Sequence, residues 1–163
     1  MKATNLLNSE AKVWLQKSLT SELTASNTYK HLANHMRFLG LFGFEKFFRA
    51  ESEDELKHAQ ILTDFVNDLG DVANMPKVDA ITEFPEDGEE ALDIAYQMEL
   101  DLLNQYKTFY NLIEEKDITI GQFLLQFIEI QRKAVGEYGD LLAKYDIAKR
   151  TGEILLFDSQ IGG

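Results

Sequence analysis

Both prolines of the chain, Pro76 and Pro85, lie in one polar segment between about Gly70 and Gly88. A proline inside a helix removes a backbone hydrogen bond and clashes with the preceding turn. Confining both to one segment leaves a proline-free stretch on either side, each long enough for a pair of long helices. The apolar residues follow the same division. Trp14, Leu15, Leu19, Leu23, Ala33 and Met36 recur at three- and four-residue intervals up to about Phe38, with Asn8 or Ser9 placed to cap the start. Gly40 and Gly43 bracket a short turn, after which Phe44, Phe47, Phe48, Glu55, Leu62, Phe65 and Val66 mark a second helix ending near Leu69 and Gly70. Leu92, Ala95, Tyr96, Leu102, Leu103, Tyr106, Phe109 and Tyr110 mark a third. Asp117 or Thr119 opens a fourth that carries Phe123, Phe127, Ile128, Val135, Tyr138 and Leu142.

Short joints make helices one and two, and helices three and four, antiparallel hairpins. The link between two and three, roughly 17 residues, is longer than packed neighbours need and long enough to run the length of a bundle. The expected architecture is therefore all-α: a four-helix bundle with one long crossover between helices two and three, plus a short C-terminal fifth helix. It forms a single domain over residues 1–163, with the bundle at about 9–146 and the terminal helix at about 150–160. In that last stretch Ile154, Leu155, Leu156 and Phe157 stand in a row. Their apolar face exceeds what a monomer would leave wet and suits contact with further subunits.

A chain of 163 residues with 45% hydrophobic content can bury one substantial core. Its net charge of −12 argues against nucleic acid or an anionic membrane surface as partner and favours cations. No cysteine is present, which excludes disulfides, thiolate zinc sites and thiolate iron-sulfur clusters, so any metal must be held by oxygen and nitrogen. Met1 to Glu10 lacks the order of a signal peptide, and no apolar run has the length of a membrane span. The expected location is cytoplasmic.

The second helix contains Glu51-Ser52-Glu53-Asp54-Glu55-Leu56-Lys57-His58. On a helix, residues i and i+3 lie about 60° apart around the axis, so Glu55 and His58 can reach one ion, and Glu51, a turn earlier, shares their face. Three other polar residues sit inside apolar stripes: Glu22 on the first helix, Glu99 on the third and Gln131 on the fourth. Tyr29 follows Glu22 by seven residues, about 20° away around the helix. Three carboxylates in a dry bundle repel one another and lose hydration. Two divalent ions would bring +4 against the −3 of Glu22, Glu55 and Glu99, with Glu55 central enough to bridge. Oxygen-rich ligation with a single imidazole suits iron or manganese better than tetrahedral zinc. Taken singly, Gln131 reads as satisfying a core neighbour, and Tyr29 as core packing unless a metal lies beside it. His31 and His35, spaced i, i+4 without the glutamate of a zinc-protease helix, read as exposed.

With these residues in place, the chain resembles the non-haem ferritins, in particular bacterial and heavy-chain-like ferroxidase subunits. The resemblance rests on Leu19-Thr20-Ser21-Glu22 followed by Tyr29, on Glu55-Leu56-Lys57-His58-Ala59 and on Gln97-Met98-Glu99. It continues through Gln131-Arg132-Lys133-Ala134-Val135, Glu137-Tyr138-Gly139-Asp140 and Glu153-Ile154-Leu155-Leu156-Phe157-Asp158. It implies a di-iron centre in which Fe2+ is oxidised by O2 or H2O2 and passed as Fe3+ to a mineral core. Glu22, Glu55 and His58 would hold the first iron, Glu55 would bridge, and Glu99 would complete the second site. Gln131 would stand near the second iron through a water, with Tyr29 hydrogen-bonded beside the centre. Members assemble as homo-oligomeric shells, typically of twenty-four subunits. Gln131 and Ala134 replace a second Glu-x-x-His on the fourth helix, and no methionine lies on the second. No haem is therefore expected. Ile130, Lys133 and Ala134 stand where some bacterial ferritins place carboxylates for a third iron, while Glu51 and Glu137 are spare carboxylates. Two other readings compete: a non-catalytic iron-binding shell subunit, and a di-iron redox enzyme outside storage.

Overall fold

The computed structural model describes residues 3–163, and among these it contains five helices and no strand: α1 (Ser9–Phe38), α2 (Phe42–Asp68), α3 (Gly88–Ile113), α4 (Ile118–Thr151) and α5 (Ile154–Ile161). Local chemistry sets most of the ends. The Asn8 side chain accepts from the Ala11 amide at 2.8 Å and starts α1. Asp117, rather than Thr119, caps α4, accepting from the amides of Thr119 and Ile120. α4 continues beyond residue 146 to Thr151, carrying Lys149 and Arg150 in its last turn, and stops where Gly152 turns left-handed at φ 72°. α5 accordingly begins at Ile154.

α2 has no side-chain cap from its own segment. The cap comes from α5: the buried Asp158 carboxylate accepts from the amides of Gly43 at 3.1 Å and Phe44 at 2.8 Å. Carboxylate charge at a helix N-terminus is favourable. The contact is close enough that a Cβ on Gly43 would fall 1.7 Å from the Asp158 carbonyl oxygen. Phe157 is buried beside Phe44 and Tyr145, while Leu155 and Leu156 remain 74% and 52% exposed.

The crossover lies along α1. Lys12 pairs with Asp71 at 2.7 Å, Gln16 exchanges two 2.8 Å bonds with the backbone of Asn74, and His31 Nε2 meets the Glu83 carbonyl at 2.6 Å. These contacts follow α1 from its first turns towards its end, so α3 begins at the far end of the bundle, with Gly88 against Phe44 and Tyr145. The crossover also corrects the expectation for His31 and His35. Both are half-buried, with ring centroids 4.5 Å apart and Phe84 edge-on to each.

Apolar side chains gather into two clusters at opposite ends. One runs through Leu15, Leu19, Leu62, Phe109, Leu124 and Phe127, the other through Leu32, Met36, Phe44, Phe48, Leu92 and Tyr138. Between them lies a buried polar layer of Glu22, Ser26, Ser52, Glu55, Glu99 and Gln131. Ser26 and Ser52 face each other at 3.0 Å across α1 and α2. The four long helices are thus held from both ends around one polar level.

Candidate metal centre

Glu22, Glu55 and His58 converge in that layer. One donor atom from each lies within 4.8 Å of the other two. His58 Nδ1 stands 3.1 Å from Glu55 Oε2 and 3.6 Å from Glu22 Oε2. Tyr106 donates to Glu22 Oε1 at 2.5 Å, whereas Glu22 Oε2 is fully buried with no hydrogen-bond partner among the described residues. An orphaned carboxylate oxygen in a dry interior is costly. Two carboxylates and one imidazole around it offer the hard oxygen and borderline nitrogen donors that a first-row divalent cation takes.

A second group adjoins the first. Glu99, also buried, accepts from the Tyr29 hydroxyl and from Gln131 Nε2 at 2.5 Å. Gln131 Oε1 is buried with no hydrogen-bond partner among the described residues. Glu99 is not one of the three residues that converge most tightly, yet it lines with Glu55 and His58 a cleft of about 210 Å3 that opens between α2 and α4. Glu51, Asp54, Glu137 and Ala134 also line this cleft. The candidate residues therefore fall into two adjacent sets, Glu22/Glu55/His58 and Glu99/Gln131/Tyr29, with His31 and His35 remote on the crossover side.

The charges distribute as such crowding requires. Burial pushes His58 towards neutrality, but hydrogen bonds and charge from Glu22 and Glu55 outweigh it and raise the imidazole to about 10. Burial and the neighbouring Glu22 carboxylate drive Glu55 up to about 10 against the opposing bond from His58. Burial also penalises the Glu22 carboxylate, yet the His58 imidazole and the Glu55 carboxyl close beside it, with the bond from Tyr106, hold it below the ordinary range. Burial raises Glu99, opposed by the Tyr29 and Gln131 bonds. At neutral pH the metal-free trio is thus an ionised Glu22, a protonated His58 and a neutral Glu55. The arrangement is self-neutralised by two protons that a bound cation would displace.

Three residues surrounding the site carry contacts that sequence reasoning missed. Tyr106 braces Glu22, and its signal is its spacing: it follows Glu99 by seven residues, as Tyr29 follows Glu22. Because α1 and α3 run antiparallel, the two pairs cross-link, Tyr29 to Glu99 and Tyr106 to Glu22. Tyr138, fully buried on α4, donates to Glu51 Oε2 at 2.9 Å. Burial raises Glu51 to about 7 despite that bond.

The family model described as Ferritin-like domain matches residues 14–148. The chain is 24% identical over 151 residues to a bacterial non-heme ferritin of Bacteroides fragilis, covering 91% of this chain and 93% of that one. It is 28% identical to the soma ferritin of Lymnaea stagnalis over 163 residues, covering 94% and 91% respectively. An open pore ferritin from the archaeon Archaeoglobus fulgidus superposes with a TM-score of 0.91 at 20% identity, covering 96% of this chain and 98% of that one.

Proposed function

The chain belongs to the ferritin family, which stores iron in multi-subunit shells, and we propose that it does so as a ferroxidase of the non-haem type. Fe2+ is the substrate. The first ion binds Glu22, Glu55 and His58, and the second binds Glu99 with Gln131 nearby through a water. Glu55, which shares the cleft with His58, Glu99 and Gln131, is the carboxylate that would bridge. Two Fe2+ give up two electrons, reducing O2 with two protons to H2O2, or reducing H2O2 with two protons to two waters. The acidic cleft between α2 and α4 then offers Fe3+ a path out of the buried layer.

The observation that carries this reading is the orphaned Glu22 Oε2, fully buried and 3.6 Å from His58 Nδ1. The imidazolium beside it stands beyond hydrogen-bond reach, so the oxygen keeps a free lone pair, and the Glu55 and His58 donors converge on it as a cation site requires. The tyrosines act on the ligands: Tyr29 and Tyr106 aim Glu99 and Glu22 without occupying the cleft. The rest of the reading is a single-domain cytoplasmic subunit without haem, acting on Fe2+ with O2 or H2O2. It assembles as a homo-oligomeric shell of twenty-four subunits, to which the exposed Leu155 and Leu156 contribute contacts. Among the described residues no helix is long and apolar enough to cross a membrane.

Stopped-flow absorbance tests the centre. Metal-free protein mixed aerobically with two Fe2+ per chain should oxidise them within seconds, while Glu55→Ala/His58→Ala should lose the fast phase and keep its assembly by sedimentation. Equal slow rates in both proteins would refute the assignment.

A further inference from the structure

The proposed chemistry leaves one buried phenol beside the centre without a role. Tyr138 stacks on Tyr29, with ring centroids 6.2 Å apart and planes 15° from parallel. Each hydroxyl has its own carboxylate acceptor: Tyr29 donates to Glu99, and Tyr138 donates to Glu51 at 2.9 Å. The other rings against the pair, Phe48 on Tyr29 and Phe47 on Tyr138, carry no hydroxyl and are far harder to oxidise. Tyr106, the other phenol at the centre, stacks on Phe127, and among the described residues no second phenol stacks on it. Among the described residues, only on the Tyr29 side does the centre continue into a second stacked phenol with a proton acceptor in place.

We propose that Tyr138 is a redox residue that, together with Tyr29, supplies the missing electron when H2O2 meets a centre holding a single Fe2+. This rests on the ferroxidase reading above. One Fe2+ provides one electron, and peroxide cleaved by one electron alone releases hydroxyl radical. With the pair in place, H2O2, one Fe2+, one phenol and one proton yield one Fe3+, one phenoxyl radical and two waters. Tyr29, beside Glu99, is oxidised first. Tyr138 then refills it across the stacked rings and passes its own proton along the hydrogen bond to Glu51, so the radical comes to rest on Tyr138. A later Fe2+ reduces it: Fe2+, phenoxyl and one proton give Fe3+ and the restored phenol.

The test loads metal-free wild type and Tyr138→Phe anaerobically with one Fe2+ per chain, adds one equivalent of H2O2, and freezes aliquots for EPR. A spin trap in parallel samples collects hydroxyl radical, and a second Fe2+ is added last. Phenylalanine keeps the packing and removes the hydroxyl, and circular dichroism and sedimentation check the fold of the variant. In the wild type a phenoxyl signal should form, narrow with ring-deuterated tyrosine as its proton hyperfine splitting collapses, and vanish on the second Fe2+, with little trapped adduct. In Tyr138→Phe the signal should lose its wild-type hyperfine pattern, decay faster and be accompanied by a severalfold rise in adduct. Rapid iron oxidation with no phenoxyl signal in the wild type, or with identical signals and adduct in both proteins, would make Tyr138 a core hydrogen-bond donor only and overturn the proposal. If the wild type oxidises no iron even at two Fe2+ per chain, the ferroxidase reading fails and this inference falls with it.

Discussion

Binding of the first Fe2+ should release protons, and the structure gives their number. In the metal-free trio the imidazole of His58 and the carboxyl of Glu55 both hold a proton well above neutrality, each raised to about 10, while Glu22 is ionised. A cation takes only the deprotonated forms of these groups, so loading must displace about two protons per ion. Between pH 6 and 8 the apparent affinity should therefore climb about a hundredfold per pH unit, equivalent to about 2.7 kcal/mol per unit. Anaerobic calorimetry with one Fe2+ per chain, repeated in buffers of different ionisation enthalpy, counts the protons directly. His58→Gln, which cannot carry the imidazolium proton, should lower the count by about one. An affinity independent of pH, or no proton released on loading, would refute the charge assignment even if iron still bound.

The same shifts set the pH dependence of the metal-free fold. Glu55 and His58 are raised above their ordinary values of 4.5 and 6.5, so each favours the folded state most below that value and loses the contribution as pH climbs towards about 10. Glu22 is lowered and acts the other way, its contribution disappearing only as pH falls below 4.5. Thermal melting should thus show stability falling from about pH 5 to pH 9, and saturating divalent metal should flatten the slope; a metal-free Tm that rises over this range would contradict the shifts. Tyr106→Phe strips the donor from Glu22 Oε1, leaving both oxygens of a buried carboxylate unpaired. It should destabilise the metal-free protein by about 1–3 kcal/mol, read by denaturant titration, and an unchanged midpoint would show the brace to be dispensable. Gly43→Ala places a methyl 1.7 Å from the Asp158 backbone oxygen, so α5 must leave its seat. Hydrogen exchange should then rise sharply across residues 154–161 while α1 and α3 stay protected, and retained protection would argue that the contact yields.

Much of the site was legible because it is written within single helices. Glu55 and His58 are one turn apart on α2, and Glu22, Glu99 and Gln131 each interrupt an apolar stripe that local periodicity exposes. What could not be read was which interruption meets which. That Tyr29 serves Glu99 and Tyr106 serves Glu22, each crossing from one helix to another, depends on the relative rotation and register of α1 and α3. Neither quantity has a signature in a stripe. The partnership of Tyr138 with Glu51 has the same character, since nothing on either helix points to the other until α2 and α4 are docked.

By itself the amino-acid sequence determined four long helices, the crossover between the second and third, the segments in which the first and fourth helices begin, and a candidate set of polar residues on four helix faces. Each of these follows from backbone geometry and side-chain chemistry within a few residues. Only the tertiary structure decided the distant partnerships: the α2 start capped by Asp158 from the far end of the chain, and His31 and His35 half-buried under Phe84. It also decided the split of charge that leaves Glu22 ionised beside a neutral Glu55. The reason is physical: periodicity specifies which face of a helix is buried, but hydrogen bonds and proton affinities vary over distances of an ångström, which packing alone sets.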